Sequence, residues 1–194
     1  MARKSKTLRG TSKSDLERAL DKVLVWFYGH PETDFTLSEL CTNLEISKTT
    51  ANTIVNHLES IGFLTKQVLG KVWRIRANPS HDFFITKKIP FNLQSVYECG
   101  VLQWIATNIP NARAVILFGS YRNGDDTEQS DIDIAVEVLS NQEIEIIPLH
   151  VKALGYRTNV PLNVHVFSRN KIDLNVFANI ANGILLKGFL EVRP

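Results

Sequence analysis

The sequence predicts an α+β protein in two parts: a small helical unit closed by a β-hairpin, then a mixed β-sheet flanked by helices. Three observations carry this prediction. Up to Ile61, apolar residues recur at three- and four-residue steps, the period of amphipathic helices. From Phe63 to Ala77 the period changes to strict alternation about Gly70, the mark of a hairpin. Beyond residue 92, short strand-like runs such as "AVILF" and "VPLNVHVFS" are interleaved with helical stretches, which suits a sheet with helices packed on it. A chain of 194 residues is long enough for two such cores.

Composition narrows the class. Hydrophobic residues make up 44% and charged residues 22%, the balance of an ordinary globular protein. No apolar run approaches the roughly eighteen residues of a membrane span, so no membrane partner is expected. Cys41 and Cys99 show no CxxC or paired-His spacing and are expected as buried, reduced thiols, which implies a cytoplasmic location. The basic start, "MARKSKTLRGTSK", has no apolar segment behind it and is expected to be a disordered tail over residues 1–13 rather than a secretory signal. Net charge is +2, unevenly spread: up to Ala77 there are twelve Lys and Arg against eight Asp and Glu, and after it ten against twelve. The first part is therefore the one suited to a polyanion.

Taken in order, Leu16, Ala19, Leu20, Val23, Leu24 and Phe27 predict a helix over Asp15–Tyr28, which "GHPETD" ends. Thr36 with Glu39 forms a capping-box pattern for a short helix over Leu37–Leu44. Ser47 caps a longer helix with an apolar face of Ala51, Ile54, Val55, Leu58 and Ile61, stopped by Gly62. The hairpin "FLTKQVLGKVWRIRA" follows, with Lys66, Lys71, Arg74 and Arg76 along it.

Helix, short helix, turn, helix and two-stranded wing, over residues 14–77, resemble the winged helix-turn-helix DNA-binding family. The resemblance implies double-stranded DNA as a partner, with a homodimer as a common arrangement. The third helix turns Lys48, Thr49, Asn52, Thr53 and Asn56 outward; these side chains suit base edges in a major groove. Lys71, Arg74 and Arg76 of the wing suit phosphates. The alternative is a protein-interaction module in which the same residues form a solvated face.

Residues 78–92, with Pro79 and Pro90, are expected as a linker. A helix is expected over Leu93–Asn108, strands over Val115–Phe118 and Ile132–Leu139, a helix over Ile144–Leu154, a strand through "VPLNVHVFS", a helix over Leu174–Ala181 and a closing extended segment at "GILLKGFLEV".

The chemistry concentrates in "VILFGSYRNGDDTEQSDIDIAVEV". Gly119 ends a buried strand without a side chain to hold a ligand off the backbone, and Ser120 adds a hydroxyl, an arrangement that suits a phosphate. Asp131 and Asp133 share one face of a strand, because side chains alternate with period two. Two carboxylates so placed repel each other unless a cation lies between them, and Mg²⁺ or Mn²⁺ fits such hard oxygen ligands. Gly-Ser, ten residues, then Asp-x-Asp resembles the signature of the nucleotidyltransferase fold of the DNA polymerase beta superfamily, over about Leu93–Val192. The resemblance implies an NTP substrate, with Gly119, Ser120 and Arg122 on its phosphates and Asp131 and Asp133 as catalytic metal ligands.

One departure bears on activity. The family's third carboxylate comes from a neighbouring strand, here expected to be "PLNVHVFS", whose polar face offers only Asn163 and His165. Either would complete the metal shell more weakly than an acid. Glu137 shares the face of Asp133 but stands roughly 13 Å along the strand. Asp125, Asp126 and Asp173 would serve only if loops folded inward. Two readings follow. One is a Mg²⁺-dependent transfer of a nucleoside monophosphate to an acceptor hydroxyl, with the winged helix delivering the enzyme to DNA. The other is a DNA-binding transcriptional regulator whose degenerate transferase domain senses a nucleotide.

Overall fold

The computed structural model describes residues 14–192; the tail expected over residues 1–13 lies outside them. The N-terminal part contains α1 (Asp15–Gly29), α2 (Leu37–Leu44), α3 (Lys48–Ser60), β1 (Leu64–Leu69) and β2 (Val72–Ala77). The cap patterns act as their chemistry demands. The Thr36 hydroxyl accepts from the Glu39 amide while the Glu39 carboxylate accepts from the Thr36 amide, and the Ser47 hydroxyl accepts from the Thr50 amide. The three helices bury Val23, Phe27, Leu40, Leu44, Val55 and Leu58 together with Phe63 and Ile75 of the hairpin. β1 and β2 pair antiparallel, Leu64 opposite Ala77 and Leu69 opposite Val72.

The segment expected as a linker is instead packed structure. A π-helical turn (Phe84–Lys88) runs directly into α4 (Ile89–Glu98), with Pro90 in the first turn, where its missing N–H costs nothing. Phe83, Phe84 and Phe91 complete the N-terminal core. Two prolines and weak periodicity mislead here because the aromatic side chains of this segment belong to a core formed earlier in the chain.

The expected Leu93–Asn108 helix is broken. α4 ends at Glu98 and α5 (Val101–Asn108) begins after Gly100, whose φ of 87° lies where a side chain is disfavoured. The remainder comprises β3 (Ala112–Phe118), α6 (Ser120–Asn123), β4 (Ile132–Val138), β5 (Glu145–Leu154), β6 (Arg157–Phe167), α7 (Leu174–Ala181) and β7 (Ile184–Gly188). The helix expected over Ile144–Leu154 is therefore a strand. Ile147, Leu149 and Val151 alternate inward, and Pro148, which would break a helix interior, is tolerated because β5 is an edge strand.

The sheet order is β5-β6-β4-β3-β7. β4 and β6 run parallel and the other neighbours antiparallel. One face carries Ile132, Ile134 and Val136 against Val96, Val101 and Ile105 of α4 and α5. The opposite face carries Ala114, Ile116, Ala135 and Phe167 beneath Ile180 of α7. By alternation Asp133 lies on this second face. Cys41 and Cys99 are free thiols, half-buried rather than fully buried as expected. Among the described residues no helix is long and apolar enough to cross a membrane.

Candidate functional site

The site begins where β3 stops. Gly119 has φ 74° and ψ −160°, a conformation all but reserved for glycine. A Cβ built on it would stand 2.8 Å from Asp133 Oδ2. The missing side chain is what lets the turn lie against the carboxylate. The chain then makes the single turn α6, and the Ser120 hydroxyl forms no hydrogen bond within the described chain, so it is available to a ligand. Arg122 donates from Nη1 to Asn123 Oδ1 at 2.8 Å, a surface bond that ties it to its own turn.

Strand register assembles the rest. Phe118 of β3 stands opposite Asp133 of β4, and Asp133 is paired with Asn163 of β6. Two pairs further along, on the same face, Ile116, Ala135 and His165 line up in the same way. The parallel pairing of β4 with β6 thus brings residues far apart in sequence onto one patch. Asn163 Nδ2 donates to Asp131 Oδ2 at 2.6 Å, and His165 Nε2 lies 2.9 Å from Asp133 Oδ1. The rings of Phe118 and His165 meet edge-on, with centroids 5.1 Å apart. Asp133 and His165 stay partly open, at 21% and 16% side-chain exposure.

The structure therefore gathers Gly119, Ser120, Asp131, Asp133, Asn163 and His165. Three of the other acids are engaged elsewhere. Glu137 is 1% exposed and bound by Arg169, whose Nε donates to Oε1 at 2.9 Å. Asp173 caps α7, accepting from the Asn175 and Val176 amides. Asp126 is 2% exposed and paired with Lys88, and Asp125 is exposed. Phe118 is the residue that sequence reasoning misses: it reads as the last apolar residue of a strand, and only the sheet shows it facing His165.

A resident metal would need to fit this donor set. Among the described residues no group of three or more His, Cys, Asp or Glu side chains is disposed to hold an ion. Two carboxylates at the end of a strand do suit Mg²⁺ when phosphate oxygens of a bound nucleotide supply the remaining ligands, which is how this ion is commonly held. Asp131 and Asp133 thus fit an ion shared with a nucleotide, and the described chain offers no all-protein cage. A cleft of about 790 Å³ opens at the opposite end of the same strands, beside Ala112 and Val138, and the acid pair does not line it.

The Gly-Ser turn and the acid pair lie within a stretch that has a counterpart among known families. Residues 102–188 match the family model of polymerase beta nucleotidyltransferases. The match spans β3, α6, β4 and β6, the elements that carry or flank all six gathered residues. It supports the nucleotidyltransferase superfamily for this domain, and the five-stranded mixed sheet is consistent with that fold. No curated protein matches the chain.

In the N-terminal part, Lys48, Thr49, Asn52, Thr53 and Asn56 are all exposed along α3. Asn56 Nδ2 donates to Asn52 Oδ1, and Thr53 donates to the Thr49 carbonyl. In the hairpin Lys71, Arg74 and Arg76 are exposed, with Arg74 3.9 Å from Asp34. Lys66 is withdrawn from that set: it pairs with Glu59 at 2.5 Å and lies over the Trp73 ring.

Proposed function

We propose that the chain is a nucleotidyltransferase that takes an NTP with Mg²⁺ or Mn²⁺ and passes its nucleoside monophosphate to an acceptor hydroxyl. The observation that carries this reading is the Gly119 turn pressed against Asp133, which sets the backbone of the Gly-Ser turn directly beside the acid pair. Gly119 and Ser120 bind the triphosphate, through close backbone approach and the hydroxyl. Arg122 turns from Asn123 to the phosphates when they arrive. Asp131 and Asp133 would hold the divalent ion, with Asn163 and His165 orienting one carboxylate oxygen each. When bound, such an ion would supply positive charge that neutralises the phosphates and lowers the barrier to attack at phosphorus. The acceptor oxygen forms its bond to the α-phosphorus as the α–β phosphoanhydride bond breaks. Pyrophosphate leaves, and the hydroxyl proton passes to solvent. Catalysis on these residues is positioning and charge stabilisation.

The N-terminal three helices and hairpin serve, on this reading, as a winged helix-turn-helix module for duplex DNA. α3 presents Lys48, Thr49, Asn52, Thr53 and Asn56 to a groove, and Lys71, Arg74 and Arg76 lie along phosphates. Incubation with labelled NTPs and Mg²⁺ or Mn²⁺ tests the enzyme reading; transferred label or released pyrophosphate supports it, and neither appearing with any of the four NTPs counts against it.

A second reading rests on Asn163 and His165, which meet the two aspartates where no third acid is at hand among the described residues. A site so built binds an NTP without turning it over, and the protein is a DNA-binding regulator that responds to the nucleotide. Retained NTP binding with no pyrophosphate release, together with a change in DNA affinity on NTP addition, selects this reading.

A further inference from the structure

The segment Tyr121–Ser130 joins the Gly119–Ser120 turn to Asp131, so its shape sets the separation between those two halves of the site. Three buried polar residues outside the site, Lys88, Asn92 and Arg157, grip it, with the segment's own Asp126 as their common anchor. Asp126, at its middle, is 2% exposed. Lys88, wholly buried, donates from Nζ to the Asp126 carbonyl at 2.6 Å and lies 3.1 Å from Asp126 Oδ1. Asn92 donates from Nδ2 to Asp126 Oδ1 at 2.8 Å and to the Tyr121 carbonyl at 3.0 Å. Arg157, at the start of β6, donates from Nη2 to the Ser130 carbonyl and, at 3.2 Å, to that of Glu128. The front, middle and end of the segment are thus held from three different elements.

Stability alone is a poor reason for such a cluster. Burial pushes the Asp126 carboxyl up and the Lys88 amine down, so each charge is held against its desolvation cost. A buried ion pair of this kind is commonly no more stable than apolar residues of the same size. What it adds is a fixed backbone path, because the amine of Lys88, the amide of Asn92 and Nη2 of Arg157 all end on carbonyls of this segment, while Arg157 Nη1 is left without a hydrogen bond. The grip also reaches the N-terminal part. The Arg157 stem lies 3.4 Å from where a Cβ of Gly29 would be, Tyr156 meets the Trp26 ring edge-on, and the Thr33 hydroxyl donates to Glu128 Oε1 at 2.8 Å.

We propose that Lys88, Asn92, Asp126 and Arg157 are positioning residues that fix the Tyr121–Ser130 segment and so hold Ser120 and Asp131 at the separation a nucleoside triphosphate requires. This rests on the nucleotide reading above. Arg157→Lys, in the full chain, tests it: the charge and most of the stem stay, and the grip on two carbonyls goes. Asn92→Ser is the second variant, removing the hold on the front of the segment. In each, amide hydrogen exchange over residues 121–131 should rise by about tenfold or more while exchange in α3 and β3 stays as in wild type. Affinity for ATP with Mg²⁺ should fall by about tenfold. A merely structural role would speed exchange throughout and lower the melting temperature, leaving the nucleotide affinity of the folded protein alone. Arg157→Met separates charge from geometry: Lys should fail to restore the affinity that Met loses.

Unchanged exchange over 121–131 in both variants overturns the inference. So does faster exchange with undiminished ATP affinity, because the segment would then not set the site. A wild type that binds none of the four NTPs with either ion overturns the functional reading, and with it the nucleotide half of this inference. Exchange still judges the hold on the segment in that case.

Discussion

Gly119→Ala isolates the close approach on which the nucleotide reading depends. The added methyl meets two separate obstacles. The first is backbone: φ 74° with ψ −160° is a region that side chains scarcely occupy, at a cost of about 1–3 kcal/mol. At roughly 2–4 °C per kcal/mol for a chain of this size, that predicts a melting temperature lower by about 2–12 °C. The second is local: the new Cβ would lie 2.8 Å from Asp133 Oδ2, and an ordinary van der Waals separation needs roughly half an ångström more. The carboxylate must move away, toward His165, or the turn must open. Either displaces the ligand set, and Mg²⁺-dependent NTP affinity should fall by about tenfold or more, equivalent to ~1.4 kcal/mol. Titration calorimetry with each NTP, with and without Mg²⁺, reads the affinity, and a thermal melt reads the strain. Ser120→Ala is the companion variant, which loses a hydroxyl without strain; it should melt like wild type and bind somewhat less tightly. Were Gly119→Ala to melt with wild type and bind NTP equally, the close approach of turn and carboxylate would have no functional meaning.

The remaining predictions address the acids, the third position and the DNA face. Asp131→Asn with Asp133→Asn should abolish divalent-dependent NTP binding while the far-ultraviolet circular dichroism is retained; equal calorimetric affinity in the double variant would end the metal reading. Asn163→Asp, which replaces a neutral donor by a third acid beside Asp131, should raise Mn²⁺ affinity measured by paramagnetic resonance and raise pyrophosphate release. His165→Ala, in contrast, should reduce release only if the imidazole orients Asp133 for turnover, and unchanged rates would assign it to packing against Phe118. Arg74→Ala with Arg76→Ala should weaken duplex DNA binding and flatten its salt dependence by about 0.9 log units for each phosphate no longer neutralised. Loss of sequence preference in Asn52→Ala with little change in that slope would assign α3 to the bases, and an absence of DNA binding by the full chain at low salt would refute the module.

Much of the fold was legible because its signals are local. Capping residues such as Thr36 and Ser47 act within one turn of themselves, and alternation about Gly70 needs no partner to be recognised. The Gly-Ser turn and the two aspartates were legible for a similar reason: strand alternation places Asp131 and Asp133 on one face whatever lies beyond them. The misread elements are those whose character depends on distant residues. Glu145–Leu154 carries enough apolar residues for a helix, and only its pairing with β6 at the sheet edge settles it as a strand. Phe83, Phe84 and Phe91 lack periodicity because they fill a core whose other walls are α1 and β1.

Asn163 and His165 mark the boundary between the two kinds of information. The sequence by itself determined which side chains were on offer along that strand, and that none was acidic. Which of them meets which aspartate was decided by the parallel register of β4 and β6, where Asn163 lies beside Asp133 in the ladder yet bonds Asp131. The same holds for Asp126 and Lys88, which are 38 residues apart in the chain and lie buried against each other. Hydrogen bonds and ion pairs act over about 3 Å, a range that separation along the chain cannot predict; only the packing of strands and helices brings such groups within it.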